Sequence, residues 1–477
     1  MLEYFFFLYY NVTMKEKSTC LCAALPFKSG NLYEFFYGAA YPLIVAAFAL
    51  LSYFTALPQI AIIAFGIFAC VSLLVFRDLT PLVTPLAFVM IIFRSYDAVL
   101  TTVPLIVFCA VFCCIVAHFI IYPVRFVKGK LYLPLILVSV AILIGGVGSP
   151  YIKDYMRGFA TAIAVGPVLL LVYFIFTSYV CPPKSVDKKM SVCYLLTVLG
   201  VAVSLEITLH RYFCAFPDLI ANHDDLGWNN VNGVGALLLL TIPACWYLIT
   251  RNKHVVISLT SIVIIYMGVF LTKSDGCIGT ALVFIPVLAL FSVFRGDNFH
   301  KNVLAKIFLV VLLIMVAIAG FALTKTSVKS VWDFLILKLS NDTNRTILYK
   351  EALELFKSYP ILGVGQGYYN PDGWLITSAV VSYNFHSTFF HVLATMGIVG
   401  VIVYIYYFVQ RYRILMHNIC AFNLFMFFAF TMYEIYAMVD TGEFNVMPAL
   451  LVVTLTLIFV ERINEKGNDG ALPLQLK

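Results

Sequence analysis

Apolar residues in this chain come in long, nearly unbroken runs with brief polar interruptions. The runs fall at 37–55, 58–76, 81–95, 98–122, 131–149, 158–180, 192–208, 233–250, 254–272, 277–294, 303–324, 388–408, 416–438 and 446–461. A helix of about 20 residues crosses about 30 Å of hydrocarbon, so each run is a candidate span, although 81–95 is short enough to be re-entrant. The pattern predicts an all-α, polytopic integral membrane protein with about 14 transmembrane helices, one membrane domain over residues 1–477.

The loops between the runs test that count. If the N-terminus (Lys15, Lys17, Lys28) is cytoplasmic, alternate loops carry Arg77; Arg125, Lys128 and Lys130; Lys184, Lys188 and Lys189; Arg251 and Lys253; Arg295 and Lys301; Arg411 and Arg413; and Arg462 and Lys466. The short loops on the other side hold only Arg94, Lys153, Arg157, Arg211 and Lys273. This asymmetry follows the positive-inside rule and predicts that both termini are cytoplasmic. Two outer segments break the run of short connections. Residues 210–232 form a polar, aromatic outer loop, and residues 325–387 are the longest hydrophilic stretch. Within the second, Ile347, Leu348, Leu355 and Phe356 recur at helical spacing and Pro360 ends the run, which predicts a helix on the outer membrane surface.

Composition agrees with this reading and narrows it. Hydrophobic residues make up 62% of the 477 and charged residues only 12%, so a soluble multidomain protein is excluded. The formal charge of +7 is accounted for by cytoplasmic loops, and no run of like charges suggests nucleic acid as a partner. Most of the 12 cysteines lie inside apolar runs, and none has zinc-ligand spacing. The opening MLEYFFFLYYNVTMKEK lacks a preceding basic region and a cleavage site, so a cleaved signal peptide is not expected.

The segment ILGVGQGYYNPDGW carries Gly363, Gly365 and Gly367. A dinucleotide site would need a strand before these glycines and a helix on them, so they read instead as a tight turn closing the surface helix. Glu206 and Glu434 lie inside apolar runs, where an unpaired carboxylate is expensive; each either lines a polar cavity or pairs with a neighbour such as a tyrosine. His391 falls inside a span and is either packed or cavity-lining. Asp224 and Asp225, near His210 and His223, read as a solvated loop more readily than as a metal site.

Three outer segments taken together resemble the bacterial O-antigen ligase and O-antigen polymerase family. They are Arg345 followed by Pro360-Ile361-Leu362-Gly363-Val364-Gly365; His386-Ser387-Thr388 leading to Met396-Gly397-Ile398-Val399-Gly400; and Trp228-Asn229-Asn230-Val231-Asn232-Gly233. The resemblance covers residues 225–405. It implies a GT-C-type membrane glycosyltransferase that moves a glycan from an undecaprenyl-diphosphate carrier to a hydroxyl of a glycan, lipid or protein acceptor at the outer face. No cofactor and no metal are implied. By its motifs Arg345 is the diphosphate ligand and His386 the group acting on the acceptor. Their chemistry suits those roles, since a guanidinium grips phosphate oxygens in a two-pronged fork and imidazole exchanges protons near neutrality. The family's second arginine, in a "TxSRG" segment, is absent: here the stretch is Thr272-Lys273-Ser274-Asp275-Gly276, with Asp275 at the arginine position. Lys273 or Arg211 is left to supply that charge. A rival reading of the same hydropathy is a non-enzymatic transporter or flippase of polysaccharide precursors.

The topology has a direct check. In a cysteine-free background, a thiol at Lys350 should react with an impermeant maleimide on intact cells and one at Lys188 should not. Equal protection of both would remove the outer-loop assignment.

Overall fold

The computed structural model describes residues 34–93, 102–124, 127–149, 155–180, 186–210, 228, 231–295, 343–366, 385–440, 444 and 447–468. The apolar run 303–324 and most of both long outer segments lie outside the described residues. Every other run becomes helix. In chain order these are α1 (Ala40–Thr55), α2 (Pro58–Val75), α3 (Thr80–Phe88), α4 (Thr102–Ile121) and α5 (Tyr132–Ile144). Then follow α6 (Tyr155–Ile163), α7 (Leu169–Tyr179), α8 (Lys188–Leu209), α9 (Val231–Thr250) and α10 (Val255–Leu271). The last five are α11 (Asp275–Arg295), α12 (Thr343–Ser358), α13 (Thr388–Leu415), α14 (Ala421–Val439) and α15 (Met447–Asn468).

No strand occurs among the described residues. Among the described residues eight stretches of helix are long and apolar enough to cross a bilayer, and four shorter apolar helices accompany them. The chain is thus an all-helical, polytopic integral membrane protein. Helix α9 is its axis: it packs against α8, α10, α11 and α14, and Leu237, Leu238, Leu239 and Leu240 are all fully buried. Helix α4 is peripheral, with Leu105, Ile106, Phe108 and Ile120 exposed along it, as a lipid-facing helix requires.

Side-chain bonds between loops sort the helix ends into two groups. At one end Tyr53 meets His210 (2.6 Å), Trp228 donates to Glu206 (3.0 Å), Ser274 meets Tyr436 (3.3 Å) and His386 meets Asp440 (3.1 Å). At the other end Tyr37 donates to Thr80 (2.8 Å), Tyr179 to the Tyr122 carbonyl (2.7 Å), Ser191 to the Tyr37 carbonyl (2.7 Å) and Asn464 to the Ile414 carbonyl (2.8 Å). The first group joins loops expected on the outer side and the second joins loops expected on the inner side.

Three runs depart from simple spans. The 81–95 run is a nine-residue helix with Pro85 inside it, followed by a 3₁₀ turn at Val89–Ile92. The 158–180 run contains a π segment at Ala164–Val168, where Pro167 supplies no amide. The third departure matters most. Helix α13 is broken at Gly397, whose φ of 60° and ψ of −155° are open to glycine and strained for any other residue.

The break at Gly397 frees backbone groups on both sides of it, and the turn after α12 takes four of them. The amides of Val364 and Gly365 donate to the carbonyls of Ala394 (2.9 Å) and Thr395 (3.0 Å). In return the amides of Ile398 and Val399 donate to the carbonyls of Pro360 (2.9 Å) and Ile361 (3.3 Å). The turn also reaches α5, because the Gly146 amide donates to the Leu362 carbonyl at 3.0 Å. Glycines line the crossing for want of space: a β-carbon on Gly363 would stand 2.5 Å from the Ala394 oxygen.

Gly397→Ala should therefore lower the detergent unfolding temperature, by an equivalent of about 1–3 kcal/mol or more. Its β-carbon would also meet the Ile361 oxygen at 2.5 Å. An unchanged melting curve would mean that the break is not a fixed feature of the fold.

Candidate functional site

The expected surface helix is α12, and it is seated on α13 rather than standing free of the bundle. Leu348, Ala352 and Leu355 form its buried stripe against Val364, Phe385 and Ala394. Near its start Tyr349 stacks on Phe390, with ring centroids 4.4 Å apart and planes 15° from parallel. The Tyr349 hydroxyl donates to the His386 carbonyl at 3.1 Å. Arg345 lies one turn earlier and so on the same face of α12 as Tyr349. The helix thus brings the face that carries Arg345 to the backbone of His386.

His386 itself sits just before α13 in a left-handed conformation, φ 47°. That bend turns the chain so that its ring meets the end of α14. Imidazole Nδ1 lies 3.1 Å from Oδ1 of Asp440, a residue 3% exposed. A carboxylate accepts, so Nδ1 is the nitrogen that carries hydrogen and the ring's basic lone pair is on Nε2. The other carboxylate oxygen accepts from the Tyr436 hydroxyl at 3.0 Å, and that hydroxyl lies 3.3 Å from Ser274 Oγ. Ser274 belongs to the Thr272–Gly276 segment in which Asp275 replaces arginine. That segment therefore stands beside the His386–Asp440 pair, and Lys273 within it is exposed.

The remaining expected residues divide. His391 is buried as the fourth residue of the broken helix; its Nε2 lies 3.1 Å from Oε1 of Gln366, at the end of the glycine turn. Glu206 is fully buried and takes the indole N–H of Trp228, which ties α8 to the entry of α9. Glu434 pairs with Arg411 and accepts from Tyr404 at 3.3 Å, and none of these belongs to the His386 cluster. Arg211, His223, Asp224 and Asp225 lie outside the described residues.

Sequence reasoning did not find Asp440, Tyr349 or Gln366. Asp440 reads as an ordinary charge at the end of a span; the faint signal is that it is the first acidic residue after the last apolar turn of α14. Arg411 was expected as a loop charge and is instead buried, its guanidinium over the Tyr407 ring at 4.5 Å. Burying a cation is costly without an anion, and Glu434 on the adjacent helix provides one. Among the described residues no group of His, Cys, Asp and Glu could hold a metal ion.

A polytopic helical membrane protein with a histidine–carboxylate pair at one end of the bundle, beside a helix bearing arginine, is the class these features define. Residues 260–405 match the family model of O-antigen ligase, so this stretch of the chain is similar to that family. The matched stretch includes Lys273–Gly276, Arg345, the glycine turn, His386 and Gly397; the Trp228–Gly233 segment precedes it. No curated protein matches the chain. The match supports, at the level of that family, a membrane protein of cell-surface polysaccharide ligation or polymerisation.

If Asp440 fixes the tautomer and angle of His386, Asp440→Asn should lower turnover by about 10²–10⁴-fold, the range of a positioned acid–base group, with the protein still folded. Tyr436→Phe should cost less, because it removes one hydrogen bond and leaves the carboxylate. Wild-type turnover in Asp440→Asn would reduce the pair to a helix-end contact.

Proposed function

We propose that this protein transfers a glycan from an undecaprenyl-diphosphate carrier to an acceptor hydroxyl at the outer face of the cytoplasmic membrane, as a polysaccharide polymerase or ligase. The observation that carries this reading is the docking of α12 on His386. One helix delivers an arginine to the neighbourhood of a histidine whose other nitrogen is held by a buried carboxylate. The full topology is a GT-C-like bundle of about 14 spans, with both termini in the cytoplasm, where the basic loops gather. Residues 210–232 and 325–387 then form the outer loops around the site.

The demands of the reaction assign the roles. An acceptor hydroxyl attacks the anomeric carbon in line with the departing lipid diphosphate, so configuration inverts and no covalent enzyme intermediate forms. His386 Nε2 takes the proton of the attacking hydroxyl, and Asp440 steadies the imidazolium that results. Arg345 holds the diphosphate oxygens in its planar fork and offsets the charge that grows as the bond breaks. Lys273, on the segment beside Tyr436, supplies a second positive charge; Arg211 is the other residue suited to that task. Charge neutralisation by side chains takes the place of a divalent ion, so the transfer is metal-independent. His391 and Glu206, buried on Gln366 and Trp228, hold neighbouring segments in place, and the Glu434–Arg411 pair braces α13 against α14.

Lysine and arginine separate chemistry from charge at position 345. A headgroup-facing residue tolerates either, since both side chains reach the interface. A diphosphate ligand does not, because lysine presents a point charge where a fork is needed. Arg345→Lys should insert and fold normally yet lose about 10–150-fold in transfer rate, the equivalent of one charge-assisted contact worth about 1.5–3 kcal/mol. His386→Ala should lose about 10²–10⁴-fold with donor binding little changed. The assay is glycan transfer from a lipid-diphosphate donor per folded protein. Wild-type rates in Arg345→Lys would move the diphosphate away from Arg345.

A further inference from the structure

A second polar site lies at the opposite end of the bundle, where the basic loops gather. The last turn of α9, the start of α8 and the middle of α15 enclose an open cavity of about 320 Å³, lined by Asp187, Lys188, Lys189, Tyr247, Arg251 and Ile463. That is the lower end of the range for ligand pockets, with room for a headgroup and not for a whole lipid. Three cations face it and one carboxylate. The carboxylate is already engaged: Asp187 Oδ1 caps α8 by accepting from the amides of Lys189 (3.1 Å) and Met190 (3.2 Å). Its second oxygen and its charge remain, but three cations against one carboxylate leave the lining net positive.

Surface lysines alone would not make a site. The second observation is Tyr247. Its ring is 4% exposed, wedged edge-on against Phe422 (5.4 Å) and Phe425 (6.0 Å), so its position is fixed. Tyr247 lines the cavity, and its hydroxyl makes no hydrogen bond to another described residue. A positioned hydroxyl that no protein group accepts from is available to donate to an acceptor bound in the cavity. A fixed O–H donor ringed by a guanidinium and two ammonium groups is a receptor for an oxyanion, and phosphate is the oxyanion abundant at a membrane edge.

We propose that this cavity binds a phosphate group at the inner edge of the bilayer, with Arg251, Lys188 and Lys189 neutralising its charge and Tyr247 donating to one oxygen. Anionic phospholipid headgroups and soluble phosphate share this chemistry. The site is remote from His386 and independent of the transfer reaction proposed above.

The test uses the full chain in nanodiscs of phosphatidylcholine, alone or mixed with phosphatidylglycerol. Native mass spectrometry reads retained phosphatidylglycerol, and equilibrium dialysis against labelled inorganic phosphate reads the soluble source. Wild type should retain one of the two probes. The triple variant Lys188→Gln, Lys189→Gln, Arg251→Gln should bind it about 10–100-fold more weakly, as the loss of charge-assisted contacts requires. Tyr247→Phe keeps both ring contacts and should weaken binding several-fold at unchanged stability. Retention of phosphatidylglycerol alone identifies a lipid headgroup, and of inorganic phosphate alone a soluble ligand. No binding of either probe would overturn the proposal. So would wild-type binding by Tyr247→Phe, because diffuse attraction to basic loops responds to charge and ignores the hydroxyl.

Discussion

Backbone amides and carbonyls at the level of the bilayer must find partners within the protein, and the break at Gly397 makes that constraint acute. A straight α13 would satisfy itself and leave the turn after α12 with nothing to hold. Broken, it exposes the carbonyls of Ala394 and Thr395 and the amides of Ile398 and Val399, and the Pro360–Gly365 turn pairs with all of them. Unpaired, each such group would cost several kcal/mol in hydrocarbon. The same exchange fixes where α12 ends its course over the bundle, and with the Tyr349–His386 bond it sets where the Arg345 face stands relative to His386. The glycine pattern is therefore a docking device between two backbones and has no phosphate-cradling role of its own.

Around this fixed crossing the polar residues fall into separate networks with separate partners. His386, Asp440, Tyr436 and Ser274 connect α13, α14 and the α10–α11 loop at one end. Arg411, Glu434 and Tyr404 connect α13 and α14 below it. A charge placed in an apolar bundle must have its counter-charge on a neighbouring helix, so these pairs also set the rotation of α13 against α14. The same two helices thus carry a structural ion pair and the histidine–carboxylate pair, a few turns apart.

Much of the fold could be read from the sequence because hydrocarbon thickness imposes a length on apolar runs; of the fourteen runs marked, eight give helices of spanning length among the described residues. The α12 helix was legible from Ile347, Leu348, Leu355 and Phe356, and the turn at Gly363–Gly365 from its glycines. The two groups of loop contacts are compatible with the sidedness that the loop charges predict, which the maleimide experiment tests. What escaped was pairing across helices. Nothing near Asp440 in the sequence points to His386, 54 residues away. Arg411 looked like one more loop cation because its partner, Glu434, is 23 residues on and on another helix. The recruitment of Gly146 by the Leu362 carbonyl was hidden for the same reason: hydropathy records burial and is blind to which backbone groups exchange bonds.

The central claim is that the cluster at His386 performs chemistry, and the rival that must be beaten is a carrier of polysaccharide precursors. The direct measurement is donor consumption by the purified full-length protein in liposomes, with a glycan-diphosphate-lipid donor, an acceptor and no ion gradient or membrane potential. Transfer predicts that the glycan leaves its carrier, with lipid diphosphate released in equal amount and acceptor-linked product formed. Movement of intact donor between leaflets, with no release of lipid diphosphate, would contradict the account.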